Sequence, residues 1–280
     1  MNKEKNNKIK SRGDPAVSAA AVLTAVIFLV PLIWAAACSI KVEGSRIAGP
    51  MDWFVPPFTL KNYYDILFSS KVALWLYNSV FIAVLSVVLT VAVTSLAAYP
   101  FAKLAFSGKK MLYFYFIIGL VVPGEATIVP LFIVANQLNM LDSYAGMILP
   151  SIAGSMNFMI AVAFFRSIPK DMMEAARIDG AGDFRIFWSV MIPLSKTILV
   201  TISIFSFMGS WNNYLWPLLC AINEKMFTLP VGIPTFAMTY SVDYVKPMTA
   251  NVVASIPAIL LYLIFEKHIS QGVSLSGIKG

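Results

Sequence analysis

The chain has one histidine, His268, and two cysteines, Cys38 and Cys220, among 280 residues. A lone histidine excludes a multi-histidine metal centre. Two cysteines in different apolar runs build neither a disulfide framework nor a metal cluster. Charge is also scarce: Asp, Glu, Lys and Arg make up 12% of the residues, against about 25% in soluble globular domains. Hydrophobic residues reach 59% and the mean hydropathy is +0.77. Too few polar side chains are present to cover a water-facing surface, which sets aside soluble enzymes, secreted modules and disordered chains. The formal net charge of +7 bears on orientation in a membrane rather than on nucleic acid, and no nucleic-acid partner is expected.

What is abundant is long apolar sequence. A helix rises 1.5 Å per residue, so about 20 apolar residues cross the hydrocarbon core of a bilayer. Runs of about that length predict an all-α membrane protein with six transmembrane helices, at about 16–40, 74–102, 111–135, 144–165, 198–221 and 248–266. A β-barrel would instead show short alternating segments. Six spans put residues 1–15 and the tail 270–280 on one side, with 16–269 as a single membrane domain. Of the 21 Lys and Arg, 15 fall on that side and 6 on the other, so the excess of basic residues places both termini in the cytoplasm. Asp142 alone separates the third and fourth runs, which predicts a tight hairpin there.

Ala35-Ala36-Ala37-Cys38 after a basic segment also fits a lipoprotein cleavage site, but the apolar run before Cys38 exceeds the 7–15 residues of a signal h-region. A first membrane helix is the better reading, with Cys38 and Cys220 as small apolar fillers. The longest outer loop, 41–71, carries Pro50, Pro56, Pro57, Trp53, Phe54, Tyr63 and Tyr64. These residues suit a short amphipathic segment at the headgroups.

The most informative stretch is the inner loop 166–197, RSIPKDMMEAARIDGAGDFRIFWSVMIPLSKT, long for a connection within a helical bundle. Pro169 suits a first helical turn, and Asp171 and Glu174 suit the positive end of a helix dipole. Gly180 suits a left-handed helix terminus, and Asp183 suits the cap of a second helix. Phe184, Phe187, Trp188 and Met191 recur with the spacing of one apolar stripe, and Pro193 ends or bends that helix. Two short helices joined by a glycine elbow form either an amphipathic hairpin lying on the bilayer or a docking element for a cytoplasmic partner.

Glu174-Ala175-Ala176, three residues, Gly180, nine residues, and Val190-Met191-Ile192-Pro193 together resemble the EAA loop of ABC importer permeases, with Val190 and Ile192 as conservative departures. Further segments resemble the maltose-type, carbohydrate branch of that family. They are Leu60-Lys61-Asn62-Tyr63, Asn78-Ser79, Ala97 to Lys103 (AAYPFAK), Pro123-Gly124, Trp211 to Leu218 (WNNYLWPL) and the tail QGVSLSGIKG, which departs at Leu275 and Ile278. The chain is similar to the smaller, six-span partner of a heteromeric permease pair.

The resemblance implies the type I ABC importer permease fold in the cell membrane. Its implied partners are a second, larger permease, two cytoplasmic ATPase subunits or domains, an extracytoplasmic solute-binding protein, a sugar substrate and membrane lipids. This chain lacks G-x-x-x-x-G-K-[ST], so it binds no cofactor of its own, and ATP with Mg belongs to the ATPase. The residues implied to couple to the ATPase are Glu174, Ala175, Ala176, Asp179, Gly180, Phe184, Phe187, Trp188 and Pro193, and the tail residues Gln271, Gly272 and Gly277 are expected to reach the ATPase interface.

Within the spans, Glu125 is expensive to ionise in hydrocarbon. It is therefore either functional or hydrogen-bonded to the partner permease or to carbonyls freed at Pro123. Asn157 and Asn212 are candidates for the pore or the partner interface, and Asn157, Asn212 and Asn213 are placed to bond across helices. Trp211 and Trp216 fit interfacial anchors or stacking surfaces for sugar. An importer for another small solute such as glycerol phosphate is the nearest alternative. An ATP-independent secondary transporter, which predicts paired intramembrane charges or inverted repeats, is the alternative of a different class.

Overall fold

The computed structural model describes residues 15–45, 47, 49–239 and 244–277, with the side chains of 236–239 and 267–277 excepted. Among the described residues it is helical throughout, and the only strand-like feature given is an isolated bridge between Lys41 and Phe58.

In chain order the helices are α1 (Pro15–Ser39), α2 (Lys61–Phe68), α3 (Val72–Lys103), α4 (Lys109–Val121), α5 (Gly124–Gln137), α6 (Tyr144–Ile148) and α7 (Ser155–Ser167). They continue as α8 (Asp171–Ile178), α9 (Asp183–Ile186), α10 (Ile192–Leu194), α11 (Lys196–Trp211), α12 (Leu215–Cys220), α13 (Leu229–Thr239) and α14 (Val245–Gly277). A π-helical turn, Phe187–Met191, links α9 to α10.

Three helices, Pro15–Ser39, Val72–Lys103 and the stretch Val245–Glu266, are each long and apolar enough to cross a membrane. Three bent pairs complete up to six crossings by length and composition. These breaks are where the structure departs from the straight spans read from the sequence. Expected as one helix over 111–135, the third run bends by 107° between α4 and α5, where Pro123 lacks an N–H and disfavours helix at the residue before it. The fourth, expected at 144–165, bends by 47° between the α6 turn, with its 3-10 extension through Ser151, and α7. The fifth, expected at 198–221, stops at Trp211 and resumes at Leu215. The start of α11 also bends by 79° from the preceding Asp183–Leu194 segment.

Two further differences concern the last third of the chain. The six expected spans leave out α13, an 11-residue helix too short to cross a bilayer. The structure packs it against α3 and α14, with Gly232 so close to the Trp75 ring that a Cβ there would overlap it. The sixth helix does not end at a separate tail: α14 runs on to Gly277, so the backbones of Gln271, Gly272 and Gly277 continue the helix. Their side chains, and residues 278–280, lie outside the described residues.

The long helix α3 is the spine, packed chiefly against α11 and α7. Between Asn78 and Ala98 its buried face is mostly small and polar (Asn78, Ser79, Ala83, Ser86, Thr90, Thr94, Ser95 and Ala98, with Ile82), which lets neighbouring backbones approach closely in an apolar solvent. Three apolar clusters lie along it. One gathers Tyr99, Phe101, Phe158, Phe165, Ile186, Phe187 and Met191 at the end bearing Lys103. A second joins Ile66, Trp75, Trp211 and Leu229 at the opposite end, and a third joins Ile82, Met147, Trp216 and Cys220. By contrast, most of α1 is exposed, including Phe28 at 74% and Val22 at 64%. A helix that is apolar on all sides and exposed belongs in lipid or against another membrane helix.

The outer loop holds the expected short amphipathic helix, α2, tied down by hydrogen bonds. Asn62 Nδ2 donates to the Ser39 and Lys41 carbonyls at 2.8 and 2.7 Å, and the Tyr63 hydroxyl pairs with Ser39 Oγ at 2.6 Å. Cys38 and Cys220 are both buried and free.

Candidate functional site

Two places combine defined geometry with chemistry the fold itself does not use. The first is the helical hairpin 166–197. Helix α8 begins at Asp171, with Lys170 as its cap, so Pro169 lies just outside the first turn in which it was expected. Asp171 and Glu174 occupy that turn, where a carboxylate is favoured by the helix dipole. The helix ends at Asp179, and Gly180 adopts φ +80°, a conformation that costs an ordinary residue about 1–2 kcal/mol. The Gly180 N–H donates to the Arg177 carbonyl and the Ala181 N–H to the Ala176 carbonyl, each at 2.9 Å. This doubly bonded ending is the Schellman arrangement, and it fixes the angle of the elbow.

The second arm differs from expectation in two respects. Gly182, not Asp183, caps α9; Asp183 is its first residue, and its carboxylate accepts from Arg177 Nη2 at 2.8 Å. That bond raises the Arg177 guanidinium further above its usual range. The aromatic residues also do not form one stripe. Phe187 and Met191 turn inward at 2% and 0% exposure while Phe184 and Trp188 turn outward at 70% and 55%. Ile186, which the stripe omitted, is fully buried. Pro193 sits in the last short turn before the 79° bend, as its chemistry requires.

The hairpin is therefore rooted and projecting at once. Met173, Ile186, Phe187 and Met191 enter the aromatic cluster, where Phe187 meets Tyr99 at 5.5 Å and Phe101 meets Phe158 edge-on at 5.0 Å. Each such side chain contributes about 1.5–3 kcal/mol by burial. Lys103 Nζ, at the end of α3, donates to the Ile168 carbonyl and at 3.4 Å to that of Arg166, clamping the chain as it enters the hairpin. The opposite face presents Glu174, Ala175, Asp179 and Gly180 to solvent, flanked by Ile178 at 87% exposure and by Met172, Phe184 and Trp188, with Ala176 half-buried beneath.

The second place is a cavity of about 250 Å³ between α3, α7, α11 and α12. Its polar lining includes Ser79, Asn157, Ser206, Ser210, Asn213 and Thr228. Of the candidate membrane residues, Asn157 and Asn213 lie there. Asn212 faces another groove and bonds its own helix, Nδ2 to the Met208 carbonyl at 3.0 Å; its neighbour Asn213 takes the cavity position, which the bare Asn-Asn pair in the sequence does not distinguish. Trp211 is 6% exposed and stacks on Phe207 at 5.5 Å, so it is core rather than headgroup anchor or sugar platform. Trp216, likewise buried, donates to the Gly146 carbonyl at 2.9 Å. Glu125 is not within a continuous span; it is exposed in the first turn of α5, immediately after the 107° bend.

The walls beside this cavity are held by directional bonds. Asn78 Nδ2 donates to the Lys225 and Phe227 carbonyls at 2.8 and 2.9 Å, and its Oδ1 accepts from the Tyr144 hydroxyl at 2.7 Å. Ser79 Oγ accepts from the Leu229 N–H at 2.8 Å. Asp142, in a left-handed turn at φ 53°, accepts from the Ile222 and Asn223 N–H groups at 3.0 and 2.9 Å.

Comparison with known proteins accords with these features. A model of the family described as the binding-protein-dependent transport system inner membrane component matches residues 91–275, which span the hairpin and the cavity's α11 and α12 walls. The chain is 32% identical over 257 residues to the diacetylchitobiose uptake system permease protein of Streptomyces coelicolor, covering 90% of this chain and 85% of that one. It is 31% identical over 266 residues to the arabinooligosaccharides transport system permease protein of Bacillus subtilis, covering 92% and 93%. The fold matches that of a bacterial ABC transporter involved in the import of the acidic polysaccharide alginate, with a TM-score of 0.79 over 91% of this chain and 98% of that one at 23% identity.

Proposed function

The chain belongs to the family of binding-protein-dependent transport system inner membrane components, and from that premise we propose that it forms half of the translocation path of an ABC importer for a sugar or oligosaccharide. A separate cytoplasmic ATPase drives it through the hairpin, a solute-binding protein delivers cargo from the other side, and a second, larger permease completes the path. Both termini face the cytoplasm, and ATP with Mg is bound by the ATPase alone. The relatives' names cover sugar, oligosaccharide and glycerol phosphate systems, and the two at 32% and 31% identity described above are carbohydrate permeases.

The observation that carries the coupling role is the two-faced hairpin. Its root is sealed in the aromatic cluster, so a push on the tip moves α3, α7 and α11 rather than bending a loop. Its tip offers an apolar knob, Ile178, on a segment whose exposed charges are mixed: Asp171, Glu174, Asp179 and Asp183 with Lys170, Arg177 and Arg185. In the ATPase socket Glu174 makes a charge-assisted contact, and Ala175 permits close approach. Phe184 and Trp188 fill its edge.

Gly180 gives the test. A Cβ there meets no atom within 4 Å, so the penalty of a side chain is conformational alone. Gly180→Val in the assembled transporter should leave the complex intact while ATP hydrolysis continues with little solute uptake. Gly180→Asn, whose side chain tolerates the left-handed region, should restore much of the coupling. Normal uptake per ATP in the valine variant would refute the assignment.

A further inference from the structure

The sequence has no acidic residue between Asp65 and Glu125, and none between Asp142 and Asp171. The ends of α3 and α7 and the start of α4 fall within these stretches, and the fold brings their cations together. Lys103 Nζ, in the last turn of α3, donates at 3.4 Å to the carbonyl of Arg166, in the last turn of α7. The Arg166 guanidinium in turn lies 4.9 Å from the centroid of the Tyr113 ring on α4. Lys109 and Lys110 stand one helical turn before Tyr113.

No ion pair among the described residues involves any of these four cations. Lys109 Nζ donates to the Leu104 carbonyl at 2.7 Å and lies 6.0 Å from the centroid of the Phe106 ring, which leaves two of its three ammonium hydrogens. Lys110 is exposed. Both lysines occupy the first turn of α4, which carries no carboxylate, although a helix dipole disfavours cations at that end. A counter-anion would relieve the arrangement.

The two lysines border a hollow of about 580 Å³ at the α3–α4 elbow, lined also by Leu104, Ala105, Phe106, Gly108 and Met111. Beyond them α4 enters the membrane as bare apolar surface, with Met111, Phe114 and Tyr115 at 74%, 61% and 73% exposure. The elbow thus sets cations beside a greasy face. An anionic phospholipid has the matching order, a phosphate joined to hydrocarbon, and basic sites of this kind on the cytoplasmic side attract such lipids. A free phosphate or an acidic protein surface would match the cations but not the apolar face.

We propose that the α3–α4 elbow binds one anionic phospholipid of the inner leaflet, its phosphate held by Lys109 and Lys110 with Arg166 alongside, and its acyl chains on Met111 and Phe114. The assignment rests on the importer reading for the side of the membrane on which the elbow lies, and adds a lipid partner to it. Because Lys103 and Arg166 also meet at the entrance to the hairpin, the bound lipid steadies the joint from which the lever projects.

The test is native mass spectrometry of the complete transporter, with partner permease and ATPase, titrated in detergent with phosphatidylglycerol or with phosphatidylcholine of the same chain length. It counts bound lipids without relying on transport. The wild type should hold at least one tightly bound phosphatidylglycerol and no equally tight phosphatidylcholine, with the preference reduced at high salt. At roughly fivefold per basic residue beside an anionic lipid, Lys109→Gln/Lys110→Gln should weaken that binding about 20-fold, so that one tightly bound phosphatidylglycerol fewer is counted. Lys109→Arg/Lys110→Arg should keep it. Equal counts in the wild type and the glutamine variant, or equal affinity for the two lipids, would overturn the proposal. So would displacement of the lipid by millimolar inorganic phosphate, which would mark a free-anion site. Loss of the ATPase or the partner permease from the glutamine variant would also overturn it, by making the elbow a protein interface. Uptake that proceeds without ATP would instead sink the importer reading and leave the lipid counts standing.

Discussion

At one end of α3, Ala98, Tyr99 and Phe101 are sealed against Phe158, Phe187 and Met191 in a dry aromatic cluster. At the other, Asn78 and Ser79 hold the 225–229 segment by hydrogen bonds beside a polar cavity. Beside its own apolar cluster around Trp75, this second end thus carries a hydrogen-bonded wall that the first lacks. Close-packed apolar side chains resist compression and pass on displacement, which suits the root of a lever. Hydrogen bonds fix distances between backbones without filling the space between them, which suits a wall around a passage. Asp142 and Asn78 satisfy backbone groups of the 222–227 segment that follows α12, whereas the bend at Ser195 joins the lever to α11.

The largest effect should come from the aromatic root. Phe187→Ala removes a fully packed ring and should cost about 3–5 kcal/mol, read as a lower melting temperature of the purified complex. Because the lost packing is the root of the lever, ATP consumed per solute imported should rise as well. Asn78→Leu should rank second. It strands the Lys225 and Phe227 carbonyls and the Tyr144 hydroxyl at a cost of about 2 kcal/mol, and should slow uptake while leaving hydrolysis and import in step. Equal uncoupling by the two variants would erase the proposed division of labour.

The sequence made the hairpin legible because its signals are local. Glu174-Ala175-Ala176 and Gly180 sit where expected, the latter at φ +80°, and the AAYPFAK and LKNY segments land at joints, Lys103 clamping the hairpin entrance and Asn62 tying α2 to α1. What stayed hidden depends on context beyond a few residues. The i, i+3 spacing placed Phe184 with Phe187, but Phe187 turns inward against Tyr99 while Phe184 stays exposed. Hydropathy counts apolar residues without seeing bends, so the third, fourth and fifth runs read as straight spans. Trp211, Asn212 and Asn213 drew attention by type, while Ser210 and Thr228 are ordinary residues that reach the cavity lining only when α11, α12 and the 225–229 segment converge. The prolines at 123 and 217 were the available signals for two of those breaks.

Asp142→Ala should come third. Its carboxylate accepts from two backbone N–H groups, and charged acceptors contribute about 1.5–3 kcal/mol per hydrogen bond, tempered here because the site is open to solvent and water can replace the lost partner. Urea or thermal melts should show a loss smaller than that of Asn78→Leu, again with hydrolysis and import in step.

The smallest effect is expected at the one ion pair within the hairpin. Arg177 and Asp183 bridge its two arms at 2.8 Å, but the side chains are 48% and 50% exposed, and such pairs are screened by water and salt. If the elbow is set by the Schellman bonds at Gly180 and by the buried side chains beneath it, then Asp183→Asn should leave the melting temperature and the ATP-per-solute ratio as in the wild type, at both low and high ionic strength. A salt-sensitive loss of coupling in wild type that disappears in Asp183→Asn would show the opposite: a charge on the surface, rather than the aromatic root, would be holding the lever in line.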